Sequence, residues 1–239
     1  IRFNAHLSFI AIRATLGLCV TVARPASALE VETSSCVLSG FVNSSAPNVR
    51  QFLGVPFAQL PEGVRRWLPP VRLQSSASVN AANFGPACPQ VWINNETSVD
   101  VYSPRGGNET EYSPLAIFGE DSTGRKDLPV IVWYFGGGFL RGGTNLPYDN
   151  PQSWIERTQE HIVVAVNFRS NIFGFPNADG LDEQNLGLLD QRMGLEWVRD
   201  NIANFGGDPT KIIAWGQSAG AIAIDFLTLH ILRIPSSVV

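Results

Sequence analysis

Three stretches of the chain are apolar almost without interruption. Leu128–Tyr134 reads LPVIVWY, Ile162–Val166 reads IVVAV and 211–215 reads KIIAW. Short β-branched runs that lack a period of two predict strands covered on both faces, as in parallel sheets. Between the second and third runs the period changes. Leu186, Leu189, Met193, Trp197 and Ile202 recur at helical spacing, which predicts an amphipathic helix over about 187–204. Phe205-Gly206-Gly207-Asp208-Pro209 stops it. The third run passes through Gly216-Gln217-Ser218-Ala219-Gly220 into a second predicted helix, an apolar one over 221–229. Strand, helix, strand, turn, helix predicts an α/β fold whose mostly parallel sheet is joined by crossover helices. Upstream, residues 34–60 carry short β-like runs such as 49–53. Residues 61–127 are rich in Pro, Ser, Asn and Gly and predict no regular element.

Composition narrows the function classes. Charged residues are 16% of 239, the net charge is −4 and there is no basic block, so neither nucleic acid nor an anionic membrane surface is an expected partner. The first thirty residues differ from the rest. Arg2 and Arg13 flank apolar residues, 16–23 is a short apolar run, and Ala26-Ser27-Ala28 supplies small residues for cleavage. This predicts a secretory signal peptide over 1–28 and an extracellular domain over 29–239. No other stretch has the length of a membrane span. Three sequons, at Asn43, Asn95 and Asn108, are candidate glycosylation sites in polar, turn-rich sequence. Of three cysteines, Cys19 falls in the leader. Cys36 and Cys88 are left, able to pair or to stay free.

The candidate chemistry sits at the third strand. Gly216-Gln217-Ser218-Ala219-Gly220 fits G-x-S-x-G between a buried strand and a helix, the context a serine nucleophile needs. Ser218 is the candidate nucleophile. Gly216 and Gly220 stand where side chains would collide in so tight a turn. The backbone N–H of Ala219, at the start of the following helix, is placed to receive an oxyanion, helped by the helix dipole. Gly136-Gly137-Gly138-Phe139 ends the first strand, and its glycines let further N–H donors approach a substrate carbonyl.

These residues resemble the type B carboxylesterase family, which includes cholinesterases and fungal lipases. The matching text is VRQFLGVPFAQLPEG (49–63), LPVIVWYFGGGF (128–139), EQNLGLLDQRMGLEWVRDNIANFGGDP (183–209) and WGQSAG (215–220), and NIFGFPNADGL (171–181) looks fungal. The resemblance implies an α/β-hydrolase fold and a secreted, glycosylated serine hydrolase of small-molecule or lipid esters. It implies oxyanion donors at Gly137, Gly138 and Ala219, and neither a metal nor an organic cofactor. Cys88 matches a family cysteine whose usual partner lies in a Glu-Asp-Cys-Leu strand. Here Ser122 follows Glu120-Asp121, so both the partner and that strand are expected to be missing, leaving a gap beside Leu128–Tyr134.

In this fold the acid and histidine follow the serine in sequence. Only Asp225 and His230 do so here, while His161 opens the second strand and His6 lies in the leader. None is expected to serve Ser218. The match fades after Asp225, so the chain reads as an N-terminal part of the domain, inactive alone. A non-catalytic binding module and a non-functional fragment are the competing readings. Phe139 and Trp92 are candidates for lining a substrate gorge.

Overall fold

The computed structural model describes residues 29–75, 77–90, 115–120 and 127–231. The expected signal peptide, His6, Cys19, Trp92, Ser122 and the sequons at Asn95 and Asn108 lie outside them. The described elements run β1 (Glu30–Glu32), β2 (Val37–Ser39), β3 (Phe41–Asn43), β4 (Ala46–Val55), β5 (Ser78–Asn80), β6 (Leu115–Glu120) and β7 (Leu128–Tyr134). Then come α1 (Gln152–Thr158), β8 (Ile162–Val166), α2 (Asn171–Gly174), α3 (Leu186–Asn201), β9 (Gly207–Gly216) and α4 (Ala219–Ile231).

Six strands form the main sheet in the order β3-β4-β6-β8-β7-β9. The first half is antiparallel, whereas β8, β7 and β9 are parallel. The two continuous apolar runs become neighbours, with Val130 opposite Ile162 and Trp133 opposite Ala165. All five residues of β8 are buried. On β7, Leu128, Val130, Val132 and Tyr134 are buried in one cluster with Trp197 and Val198 of α3, and Ile131 and Trp133 face the other way. The Tyr134 hydroxyl donates to Gln191 O at 3.1 Å, which satisfies it inside the core. Burial without a charged partner pushes its pKa well above the usual phenol value. The fold is thus the expected α/β-hydrolase type, with β1, β2 and β5 as a small second sheet.

The structure corrects three expectations. The strand expected to be missing before Leu128 is present: it is β6, LAIFGE, paired with β4 on one side and β8 on the other. Its residues 116–118 are fully buried between two neighbours, which is reason enough for a strand. No gap opens beside β7, because β8 and β9 flank it. Residues 61–127 are not uniformly irregular either, since those described include β5, β6 and a 3-10 turn over Gly63–Arg65. Two predicted elements are longer than their sequence signal. β9 begins four residues early because Gly207 pairs opposite Leu128 across a register shift. α4 begins at Ala219, directly after the turn at Gln217 and Ser218.

Cys36 and Cys88 are both buried and unpaired. The Ser170 N–H donates to Cys88 Sγ at 3.4 Å, and burial pushes the Cys88 thiol up from its ordinary pKa against the pull of that bond. Asn43 sits at the β3–β4 hairpin turn, where its Oδ1 accepts from Ser45 N–H at 3.0 Å.

Strand β9 is the last of the sheet among the described residues, and its outer flank is apolar. Ile213 is 59% exposed, Trp215 50% and, on α4, Leu229 65%. A long apolar edge with free backbone groups templates association. Residues 29–239 are therefore expected to sediment above the monomer mass, and Ile213→Lys to shift them toward monomer. Sedimentation of the parent chain as a monomer at micromolar concentration would contradict this.

Candidate active site

The elbow is built by one strained residue and two close approaches. β9 ends at Gly216 and α4 starts at Ala219, so Gln217 and Ser218 alone turn the chain. Ser218 takes φ 52, a left-handed conformation that is uncommon for a residue with a side chain. A Cβ on Gly220 would overlap the Tyr134 carbonyl oxygen, and one on Gly216 would lie 2.5 Å from Gly220 C. Helix α4 can start this close to the end of β7 because residue 220 is glycine, and can turn this tightly out of β9 because residue 216 is. The result exposes Ser218 at the sheet's C-terminal edge, where α/β folds bind ligands.

The second glycine run forms the facing wall. Gly137 and Gly138 have φ 114 and 65, and Phe139 follows at φ 61. Two 3.1–3.3 Å bonds close the turn, from Leu140 N–H and Arg141 N–H to Gly137 O. Gly137, Gly138 and Ser218 line one open cleft of about 950 Å³ with Gln90, Leu140, Arg141, Ile172 and Phe173. Among the described residues, the N–H groups of Gly137, Gly138 and Ala219 donate to no protein acceptor.

Sequence reasoning missed the groups that hold this loop. Gln90 grips Gly142 from both sides: its Nε2 donates to Gly142 O at 3.0 Å, and Gly142 N–H donates to its Oε1 at 2.9 Å. Asn171 N–H donates to Phe139 O at 2.6 Å, and its Nδ2 donates to Leu140 O and Pro89 O. Behind Asn171 lies a buried ion pair. Arg169 Nε and Nη2 donate to Asp190 Oδ2 and Oδ1, both at 2.8 Å, and Arg169 N–H donates to Oδ2 at 2.9 Å. Its Nη1 donates to Arg66 O and Leu68 O, so the guanidinium ties three chain segments together. These are single polar residues, scattered over loops, the start of α2 and the middle of α3, without period or motif. The only available signal was the place of Asn171 and Asp190 within the quoted family segments.

Other candidates fall elsewhere. Phe139 packs edge-on against Phe175, ring centroids 5.0 Å apart, and does not line the cleft. His161 precedes β8 at the opposite end of the sheet, its ring tilted against that of Trp154 with centroids 4.1 Å apart. It is level with the start of β7, while Tyr134 at the end of β7 faces Gly216, a separation of about 16 Å along the strands. Burial pulls the His161 imidazole below its ordinary pKa, with Glu160 opposing. His230 lies near the far end of α4, twelve residues from Ser218 or about 18 Å at 1.5 Å per residue. Asp225, on α4, is exposed. Among the described residues no group of three or more His, Cys, Asp or Glu side chains could hold a metal ion, and no helix is long and apolar enough to cross a membrane.

Residues 27–233 match the model of the carboxylesterase family. The chain is 47% identical over 204 residues to a chlorogenic acid esterase of Aspergillus niger, covering 82% of this chain and 40% of that protein. It is 41% identical to secreted lipase 5 of Gibberella zeae, covering 83% of this chain and 42% of the lipase. Among solved structures, a thermophilic PNB esterase superposes with a TM-score of 0.71 at 32% identity, covering 82% of this chain and 40% of its own. The chain thus spans about 40% of the length of these relatives.

Proposed function

The chain belongs to the carboxylesterase family, and from that premise we propose that it carries the nucleophile and oxyanion hole of a carboxylic ester hydrolase. The observation that carries this reading is Ser218 at φ 52 between β9 and α4, sharing a cleft with the positive-φ glycines 137 and 138. Ser218 Oγ attacks the ester carbonyl as its proton passes to a base. The carbonyl oxygen becomes an oxyanion, received by the N–H groups of Gly137, Gly138 and Ala219. The N-terminus of α4 adds a favourable dipole. Collapse of the intermediate expels the alcohol with a proton and leaves an acyl group on Ser218, which water then removes. None of the described histidines reaches Ser218, so the base comes from outside the described residues.

Small-molecule and lipid esters are the proposed substrates, in line with the names of the relatives, one an esterase of chlorogenic acid and others secreted lipases. Secretion behind residues 1–28 and a glycan on Asn43 belong to the same reading.

The test fuses this chain, in frame, to the C-terminal portion of the Aspergillus niger relative and follows p-nitrophenyl butyrate hydrolysis. The fusion is expected to turn over the ester, with Ser218→Ala lowering kcat by about 10⁴-fold or more. The unfused chain is expected to be no faster than its own Ser218→Ala variant. Turnover by the fusion that is indifferent to Ser218→Ala would overturn the assignment.

A further inference from the structure

Among the described residues, the cleft beside Ser218 carries one formal charge. Leu140, Ile172 and Phe173 give it apolar walls, and no carboxylate lines it among the described residues. The charge is Arg141. Its Nη1 is shut off from solvent and has no hydrogen-bond partner among the described residues. Cations such as Arg72, Arg169, Arg192, Arg199 and Lys211 are held in ion pairs, and Arg141 is in no ion pair among the described residues.

The backbone fixes where this cation stands. Arg141 N–H donates to Gly137 O, and Gln90 clamps the next residue, Gly142, through both its N–H and its carbonyl. The side chain starts directly over the glycine run: a Cβ on Gly137 would lie 3.4 Å from Arg141 Cγ. The guanidinium is therefore carried on the same turn that presents the candidate oxyanion donors. A guanidinium that no protein acceptor holds keeps its donors for a ligand: turned toward the cleft that Arg141 lines, it would meet a bound carboxylate in forked geometry.

We propose that Arg141 is a specificity-determining residue, and that the preferred substrates are esters bearing a free carboxylate rather than neutral ones. The net charge of −4 works against anionic ligands at long range, which makes a local cation the feature that would select them. The proposal rests on this cleft being the ester site. It does not depend on turnover, so it is tested on binding.

The protein used is the full chain carrying Ser218→Ala, which removes any hydrolysis. Three probes are titrated calorimetrically: phenyl butyrate, monophenyl succinate with its carboxylate on the acyl side, and 4-(butyryloxy)benzoate with its carboxylate on the alcohol side. At least one anionic probe is expected to bind about tenfold or more tighter than phenyl butyrate, and which one does identifies the side Arg141 reads. Adding Arg141→Gln is expected to bring the three affinities within about twofold of one another, without lowering the melting temperature. Arg141→Lys keeps part of the preference, and raising the salt concentration weakens only the anionic probes. Equal affinities in the parent, a preference that survives Arg141→Gln, or no binding of either anionic probe at millimolar concentration would overturn the proposal. Failure of the fusion to hydrolyse esters would instead strike the nucleophile assignment, leaving these affinities as they are.

Discussion

Asp190→Ala is expected to destabilise the protein by about 3–5 kcal/mol, measured as a shift of the urea midpoint at unchanged slope. The magnitude follows from what is left behind. Arg169 and Asp190 have side-chain exposures of 2% and 4%. Three donors of Arg169 converge on the carboxylate, and two more bonds hold the guanidinium to Arg66 O and Leu68 O. Removing the carboxylate strands a positive charge inside the protein, and the remaining carbonyls solvate it only in part. Since domains are stable by only about 5–15 kcal/mol, this one change is expected to consume a large share of the total. Asp190→Asn keeps the shape and some hydrogen bonds and should fall between. The damage should also reach the site, because Ser170 and Asn171 follow Arg169 directly and Asn171 holds Phe139 and Leu140. A midpoint shift worth less than about 1 kcal/mol would mean that the pair adds little.

Gly220→Ala is the second large effect. The added methyl would overlap the carbonyl oxygen of Tyr134 and sit 2.9 Å from that of Phe135. Both are backbone atoms at the end of β7, a strand paired on both sides, so no side chain can rotate away. Helix α4 would have to lift off β7, carrying Ala219 N–H and Ser218 with it. A loss at or beyond about 3 kcal/mol, the upper range for overpacking, is expected, together with loss of ester turnover in the fusion. Gly180→Ala is the control. Gly180 also has a positive φ, +86, but nothing stands within 4 Å of its Cβ position. It is expected to lose only about 1–2 kcal/mol of backbone strain and to keep turnover. Equal effects of the two substitutions would show that backbone strain, not the close approach of helix and strand, governs the elbow.

The ease with which elements could be read from sequence follows their burial. β7 and β8 match their apolar runs residue for residue, because a strand covered on both faces leaves an uninterrupted apolar signal. The α3 period was equally plain, although the helix proper ends at Asn201 and a 3-10 turn over Ile202–Phe205 takes up the remainder. β6 was overlooked despite Ala116, Ile117 and Phe118, because the run is short, follows Pro114 and lacks the expected family cysteine. In the site, Ser218 and both glycine clusters were legible because the turn demands those residue types at fixed spacing. Gln90, Arg141, Asn171 and the Arg169–Asp190 pair were not. Gln90, Asn171 and the Arg169–Asp190 pair act through contacts 21 to 103 positions apart, which no local pattern records, and Arg141 matters only through the cleft it lines.

The central claim is that Ser218 is the nucleophile. The most direct measurement treats the fusion with diethyl p-nitrophenyl phosphate, which phosphorylates an activated serine, and maps the adduct by peptide mass spectrometry while following residual activity. The expected result is one diethylphosphoryl group per chain, on the peptide containing Ser218, with loss of turnover in proportion to labelling. An adduct on a different residue that accompanies inactivation, or full inactivation with Ser218 unmodified, would contradict it.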